Sequence, residues 1–299
     1  MRTLVTAVIG LGTMGRGIAG LLRTAGHQVR VHDRVPGAAS AWVAGLGDPP
    51  GEAGAAYAAT TIAEAVTGCD LVIEVVPEDE TLKAVVLREI SAAALPGCII
   101  ATNTSSFSID VLGVHCKGAE RFLGVHFFNP ADVIPGVEVI PGTGTDPGVV
   151  DRVLALLTDA GKRPAVVRSS PGFIANRLQM ALFLECLRCV DEDLVSPDDL
   201  DTVVSTTFGF RLPAMGPFAV ADMAGLDVYV SILTTLRDAF GDRFQVPAAL
   251  SELTSAGHYG TKTGQGFFTY GSEDVVALVQ RRDAAYARLA RAVEPPSVV

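Results

Sequence analysis

Thr6-Ala7-Val8-Ile9-Gly10-Leu11-Gly12-Thr13-Met14-Gly15 runs from a short β-type segment into a glycine-rich turn, and its reading decides the fold. An amphipathic stretch from Arg16 to Ala25 follows, with Gly26 placed to close a helix at its C′ position. Gln28-Val29-Arg30-Val31-His32-Asp33 then reads as a second strand ending in an acid. A lone G-x-G-x-x-G pattern is a weak signal. Here it sits between strand and helix with an acid about 20 residues beyond Gly12, the context of a dinucleotide-binding βαβ unit. Gly10 permits the tight turn, Gly12 lets a pyrophosphate approach the helix N-terminus, and Gly15 lets helix and strand pack closely. Leu11, Thr13 and Met14 complete the loop. Asp33 is expected to accept from both adenosine ribose hydroxyls, which favours NAD, since a carboxylate repels a 2′-phosphate. The neighbouring Arg34 leaves NADP open, and the alternative to both is a glycine turn without a ligand.

Working outward, apolar strands alternate with helical patterns. Residues 36–59 read as a loop rich in Gly, Ala and Pro; a helix is expected over Thr61–Val66 and a strand over Asp70–Val76. Glu80 to Ala93 reads as a helix, and Gly97–Thr102 and Arg121–His126 as strands. Val137–Ile140, a helix over Asp146–Ala160 and Arg163–Arg168 close the set. Strands apolar along their length indicate a mostly parallel sheet covered on both faces, with ligands beyond the strands' carboxyl ends. Glu78, Asn103, Ser105 and His126 each follow such an end, although Asn103 and Ser105 taken singly are ordinary turn residues.

His126 deserves its own reading. It ends an apolar run and is followed by Phe127-Phe128-Asn129-Pro130, where proline stops a strand. Further on, Glu138 lies inside the apolar run Val137–Ile140. A carboxylate in a strand core is costly without a partner. A His–Glu pair, with Glu138 orienting and charging His126 as a general base, would meet that cost. A capping histidine and an edge-strand glutamate are the alternative.

From Ser169 the texture turns helical. Ser170 reads as an N-cap with Pro171 at N1, and the pattern runs to Leu194 with Asn176 on its first turns. An amide on an apolar helix needs a partner in the core or in a ligand. Further helices are expected over Asp198–Thr207, Ala219–Phe240, Pro247–Ala256 and Asp274–Val293, the last running into Glu294-Pro295-Pro296. A strand signal returns only at Gly266–Tyr270, after the turn Lys262-Thr263-Gly264-Gln265-Gly266. The fold class expected is α/β, a Rossmann-type doubly wound, mostly parallel sheet over 1–168, followed by an all-helical domain over 169–299. So many apolar helical faces point to a twin subunit, a homodimer.

The bulk numbers narrow the function. With 299 residues, 49% apolar and 19% charged, the chain is a compact globular protein with a large core. A formal charge of −10 argues against nucleic acid or an anionic membrane as partner. No apolar run reaches the ~20 residues of a membrane span, and Met1–Ile9 lacks the features of a signal peptide. The cysteines, 5 in number, are scattered: Cys69, Cys98, Cys116, Cys186 and Cys189. Cys186-Leu187-Arg188-Cys189 has redox or metal spacing, but its helical setting favours core thiols, so no metal is expected. A reduced, cytoplasmic protein is the expectation.

Taken together, Gly10–Gly15, Asn103-Thr104-Ser105-Ser106, His126–Pro130, Val137-Glu138-Val139, Pro171-Gly172-Phe173-Ile174-Ala175-Asn176-Arg177, Gly216-Pro217-Phe218 and Lys262–Phe267 resemble the L-3-hydroxyacyl-CoA dehydrogenases and their relatives acting on small β-hydroxy acids. The resemblance covers nearly the whole chain. It implies His126 as catalytic base, Glu138 as its partner, and Ser105 and Asn176 as ligands of the substrate's oxygens. It further implies Glu78, Lys83, Asn103 and Lys262 at the nicotinamide side of NAD, with the glycine loop and Asp33. Acyl-CoA members resemble one another in a longer, lysine-rich helical insertion after the second strand; here residues 34–60 hold one basic residue, Arg34. The segments 129–138 and 222–228 look more like the branch acting on substrates without CoA. The expectation is therefore a 3-hydroxyacyl thioester, carrier-protein- or CoA-linked, interconverted with its 3-oxo form. A free small β-hydroxy acid is the alternative, and a non-catalytic NAD-binding module a more remote one. Arg177 and Arg211 could each meet a carboxylate or simply lie on the surface.

Overall fold

In a computed structural model the structure describes residues 3–47 and 54–292. Positions 48–53 of the expected loop, and Val293 with the Glu-Pro-Pro end, lie outside the described residues. The chain divides into two compact units, Met1–Phe183 and Leu184–Val299.

The first unit alternates strand and helix: β1 (Val5–Ile9), α1 (Thr13–Thr24), β2 (Gln28–His32), α2 (Ala38–Gly45), β3 (Ala56–Ala58), α3 (Ile62–Val66), β4 (Leu71–Glu74) and α4 (Glu80–Ala93). It continues with β5 (Ile99–Thr102), α5 (Ile109–Gly113), β6 (Phe122–Phe127), β7 (Gly136–Pro141), α6 (Pro147–Asp159) and β8 (Arg163–Val166), and enters α7 (Ala175–Asp191). The strands form one sheet in the order β3-β2-β1-β4-β5-β6-β7-β8. All neighbours are parallel except β6 and β7, which pair antiparallel. No helical pattern separates those two strands, so the chain returns without a crossover. One core packs Val8, Ile18, Leu22, Val31, Leu123 and Val125 on one face; the other packs Ile9, Val72, Leu87, Ile90, Ile100, Leu112 and Phe173. Burying Leu87 and Ile90 of α4 contributes about 2 kcal/mol each, which fixes the helix that begins at the sheet's carboxyl edge.

Local chemistry sets the helix starts. Thr61 accepts from Glu64 N, Asp79 from Leu82 N and Asp146 from Gly148 N, each a side-chain N-cap. The stretch 36–59 is not the expected loop: Ala38–Gly45 is helical and Ala56–Ala58 adds an edge strand to β2. Alanine favours helix, and Trp42 and Val43 gain burial against the first core. Nor does Ser170 cap a helix with Pro171 at N1. Ser170 O accepts from Phe173 N in a turn, Gly172 and Phe173 are left-handed at φ 70° and 48°, and α7 begins only at Ala175. Burying the Phe173 ring, fully enclosed in the second core, accompanies that backbone.

The second unit is helical: α8 (Pro197–Thr206), α9 (Phe208–Arg211), α10 (Pro217–Ala224), α11 (Leu226–Phe240), α12 (Ala248–Ser255) and α13 (Ser272–Ala292) follow the end of α7. The helix expected over Ala219–Phe240 breaks at Gly225, φ 106°, and the two halves are bent by 99°. Gly266–Tyr270 makes isolated bridges rather than a strand. Asp222, fully buried, accepts from Phe267 N, Phe268 N and the Tyr270 hydroxyl and pins this segment to α10. Cys186 and Cys189 are half-buried on α7, which buries none of its residues, and are not core thiols. Among the described residues no single helix is long and apolar enough to cross a membrane.

Candidate active site

The glycine loop opens a cleft of about 660 Å³ at the carboxyl edge of the sheet in the first unit. Gly10 is left-handed (φ 102°), and a Cβ there would stand 2.8 Å from Val75 O; at Gly15 a Cβ would strike Gly10 O. At Gly12 a Cβ would meet nothing within 4 Å, so the turn is open on that side. Gly12 is also the N-cap of α1 and offers no side-chain acceptor, so the first helical amides face the cleft side with a positive dipole end. Leu11 N donates to Asp33 Oδ2 at 2.7 Å and Val35 N to Oδ1 at 2.8 Å, which fixes the carboxylate just past β2. Thr13, Met14, Asp33 and Arg34 line the cleft, whereas Leu11 is buried behind it. These residues fit a dinucleotide: room at the turn, amides for a pyrophosphate, and a carboxylate for a ribose.

His126, the penultimate residue of β6, also lines the cleft. The antiparallel register sets His126 opposite Glu138 of β7, and Nδ1 lies 2.9 Å from Glu138 Oε2. Both are buried. Glu138 Oε1 accepts from Ile174 N at 3.0 Å and Ala175 N at 2.9 Å, amides at the start of α7. These hydrogen bonds stand in for the water that the buried carboxylate lost. A carboxylate facing Nδ1 makes that nitrogen the donor and leaves Nε2 as the acceptor. Phe128 and Phe173 flank the imidazole, ring centroids 4.5 and 5.8 Å away.

The loop after β5 brings the remaining polar groups. Asn103 Oδ1 accepts from Phe127 N at 2.8 Å, and both Asn103 and Ser105 line the cleft beside His126. Asn176 is not on the cleft wall, but its Nδ2 donates to Ser105 O at 3.1 Å, which keeps it beside the same loop. Glu78, another cleft residue, gathers that loop on one oxygen: Oε1 accepts from Thr104 Oγ1, Ser105 N, Ser105 Oγ, Ser106 N and Ser106 Oγ. Burial pushes its pKa up, but the Thr104 hydrogen bond, the Lys83 charge and the Ser106 and Ser105 bonds outweigh it, so the carboxyl lies below its ordinary range.

Lys83 lies elsewhere than the cleft wall. It is 1% exposed and donates to Glu74 Oε1 at 3.0 Å, Glu74 Oε2 at 3.3 Å and Val76 O at 3.1 Å, with Glu78 Oε2 at 3.4 Å. Glu74, fully buried at the end of β4, also accepts from Val76 N and from Thr102 Oγ1. Reading the sequence missed Glu74. The signal was an acid at the end of an apolar strand with a lysine one strand-turn-helix step later. Lys262 belongs to the second unit, where it pairs with Asp227 at 2.8 Å and the Asp227 carboxyl is held below its usual range, first by that hydrogen bond. Among the described residues no group of His, Cys, Asp and Glu could hold a metal.

Comparison with known proteins agrees with this geometry. The family pattern described as 3-hydroxyacyl-CoA dehydrogenase, NAD binding domain, matches residues 5–48 and 51–170, and the C-terminal domain of the same family matches 172–270. A relative from Mesorhizobium japonicum, 5-formyl-3-hydroxy-2-methylpyridine 4-carboxylate 5-dehydrogenase, is 37% identical and spans 96% of this chain and 97% of its own. The 3-hydroxybutyryl-CoA dehydrogenase of Clostridioides difficile is 33% identical, covering 88% of this chain and 98% of its own. Among solved structures, the 3-hydroxyacyl-CoA dehydrogenase of Archaeoglobus fulgidus superposes with a TM-score of 0.83 at 30% identity, over 96% of this chain and 99% of that one. The pyridine-carboxylate dehydrogenase, described as an NAD+-dependent dismutase, superposes with a TM-score of 0.73 at 36% identity, over 96% and 97%.

Proposed function

The chain belongs to the 3-hydroxyacyl-CoA dehydrogenase family and is an NAD-dependent oxidoreductase, and from that premise we propose that it oxidises a hydroxy compound carried without CoA, using His126 and Glu138 as its acid–base pair. One observation carries this reading: His126, whose Nδ1 lies 2.9 Å from Glu138 Oε2, lines the same cleft as the glycine loop. When bound, NAD supplies the hydride acceptor. Gly10, Gly12, Thr13, Met14 and Gly15 hold its pyrophosphate, Leu11 N fixes Asp33, and Asp33 takes the ribose hydroxyls.

His126 Nε2 takes the proton of the substrate hydroxyl, and Glu138 stabilises the imidazolium that forms. Ser105 and Asn176 hold the substrate's oxygens. Asn103 and Glu78, with Lys83 behind it, order the nicotinamide side. Phe128 and Phe173 keep water from the imidazole, so these charges act in a low dielectric. The cofactor half is residues 1–168 and the substrate and dimerisation half 169–299. Homodimerisation is supported by Leu178, Leu182, Phe183 and Leu187, apolar residues of α7 that are exposed in the single chain. A reducing, cytoplasmic setting suits the free thiols.

Two substrate classes remain in play, each with its support. A free small hydroxy acid is supported by the relative whose named substrate is a free pyridine carboxylate. It is also supported by α2, a short helix without a basic residue where CoA phosphates would need a cationic clamp. A carrier-linked 3-hydroxyacyl thioester is supported by the Asn103–Ser106 and His126–Asn129 motifs, shared with the acyl thioester branch. NADH formation from free 3-hydroxybutyrate, its pantetheine thioester and its CoA thioester separates them. The free acid leading, or pantetheine matching CoA, is the expected outcome; a clear preference for CoA would contradict the proposal.

A further inference from the structure

Residues 128–135 link β6, which carries His126, to β7, which carries Glu138. Pro130 and Pro135 have no N–H to donate, so the segment has more carbonyls than donors. Pro130 O accepts from Val133 N and Ile134 N, and Pro135 O accepts from Arg163 N where β8 begins. Asp132 O and Ile134 O are taken by one side chain: Lys162 Nζ donates to them at 3.2 and 2.9 Å. Lys162 follows the left-handed Gly161 that closes α6, and its own amide donates to Leu157 O. It is 5% exposed, and burial holds its pKa below the ordinary lysine range against the opposing effect of the Asp132 charge. A buried ammonium is costly, and the two carbonyls offset that cost. Lys162 is outside the cleft wall, whereas Phe128 and Asn129, at the start of the same segment, line it. A second contact fixes the segment. Ala131 is buried against α1, the helix of the glycine loop, and a Cβ at Gly17 would stand 3.2 Å from the Ala131 Cβ.

We propose that Lys162 is a positioning residue: its buried ammonium clamps the 128–135 segment, and so holds His126 and the Phe128 ring in place relative to Glu138 and to the helix of the glycine loop. The antiparallel ladder sets His126 opposite Glu138, but on that side it ends one pair later, at Phe127 and Val137. Past that pair the segment's own turn, the Lys162 clamp and the Ala131 contact hold the end of the hairpin. Without the ammonium, two carbonyls lose their donor and the segment can lift from α1, drawing Phe128 away from the imidazole it flanks. The inference deepens the dehydrogenase reading and rests on it for the role of His126.

The test uses Lys162→Met, which keeps the side chain's bulk without its donors, Lys162→Arg, which keeps charge and donors, and Gly17→Ala, which presses on Ala131 from α1. In Lys162→Met, amide exchange over 128–136 should rise about tenfold while exchange over β1 and the glycine loop stays as in wild type. The nitrogen NMR spectrum of the imidazoles should show His126 leaving the single tautomer that Glu138 selects. On the best substrate, kcat should fall about tenfold with the NADH dissociation constant within about twofold of wild type, because a misplaced base slows the reaction while the glycine loop is untouched. Lys162→Arg should bring kcat back to within about threefold of wild type. Wild-type exchange over 128–136 or a wild-type His126 signal in Lys162→Met would overturn the inference, as would a lower melting temperature with kcat unchanged. If Lys162→Met does not fold, Gly17→Ala carries the test: unchanged exchange over 128–136 and an unchanged His126 signal in that protein also overturn it. Exchange and the imidazole signals are read without turnover. A wild type that oxidises no hydroxy substrate therefore sinks the dehydrogenase reading while leaving the clamp to be judged on those two measurements.

Discussion

His126 and Glu138 form one buried, hydrogen-bonded pair. An imidazole alone has no fixed preference of tautomer; a carboxylate at Nδ1 makes that nitrogen the donor and leaves Nε2 as the acceptor. Glu138 also holds two amides at the start of α7, so its loss acts on geometry and charge together. Glu138→Gln is expected to lower kcat about a hundredfold with KM nearly unchanged, measured as steady-state NADH formation. Equal losses in KM would place the residue in binding instead. Glu78 gives a residue-scale test against pH. Its folded pKa lies below the unfolded value, so its contribution is complete above about pH 4.3 and is lost as pH falls through the folded value. The melting-temperature gap between wild type and Glu78→Gln should therefore be widest near neutrality and shrink on acidification. A gap that widens towards acid would reverse the sign.

The β1–glycine–α1 element was legible because every requirement in it is local. A turn that needs φ above zero at Gly10 and bare Cα at Gly15 restricts the residue types without reference to the rest of the chain. Gly15→Ala should push α1 off β1, costing about 1–3 kcal/mol in urea unfolding and weakening NADH binding; an unaltered midpoint and affinity would contradict the packing. The His126–Glu138 pair was legible for a related reason: a proline-ended strand and an acid in an apolar strand each pose a local cost that one partner resolves. The short helix α2 was not, because alanine-rich sequence serves loop and helix alike and only Trp42 and Val43 finding the core decides between them. The start of α7 depended on where the Phe173 ring is buried, and the break between α10 and α11 on one glycine within an unbroken apolar period. Lys83 carried a motif position legible from the resemblance, yet its burial between two acids is a tertiary fact that spacing does not contain.

On the scale of the whole molecule, the first unit's sheet separates two packed layers, and the cleft opens at its carboxyl edge. The layer under α3 and α4 holds Cys69, Cys98 and Cys116, whose thiols are pushed up to about 11, 12 and 11, chiefly by burial. At pH 8 these three should stay silent to a thiol-specific disulfide reagent until the fold is opened by denaturant; fast reaction of more than 2 of the 5 cysteines in the native protein would contradict the packing. The most direct measurement is the rate of NADH formation by wild type and His126→Gln on the best substrate of the three, with NADH affinity of both proteins determined alongside. A fall of about a thousandfold in kcat with NADH binding retained is the expected result; a variant that turns over within a few-fold of wild type would remove His126 as the base and with it the mechanism.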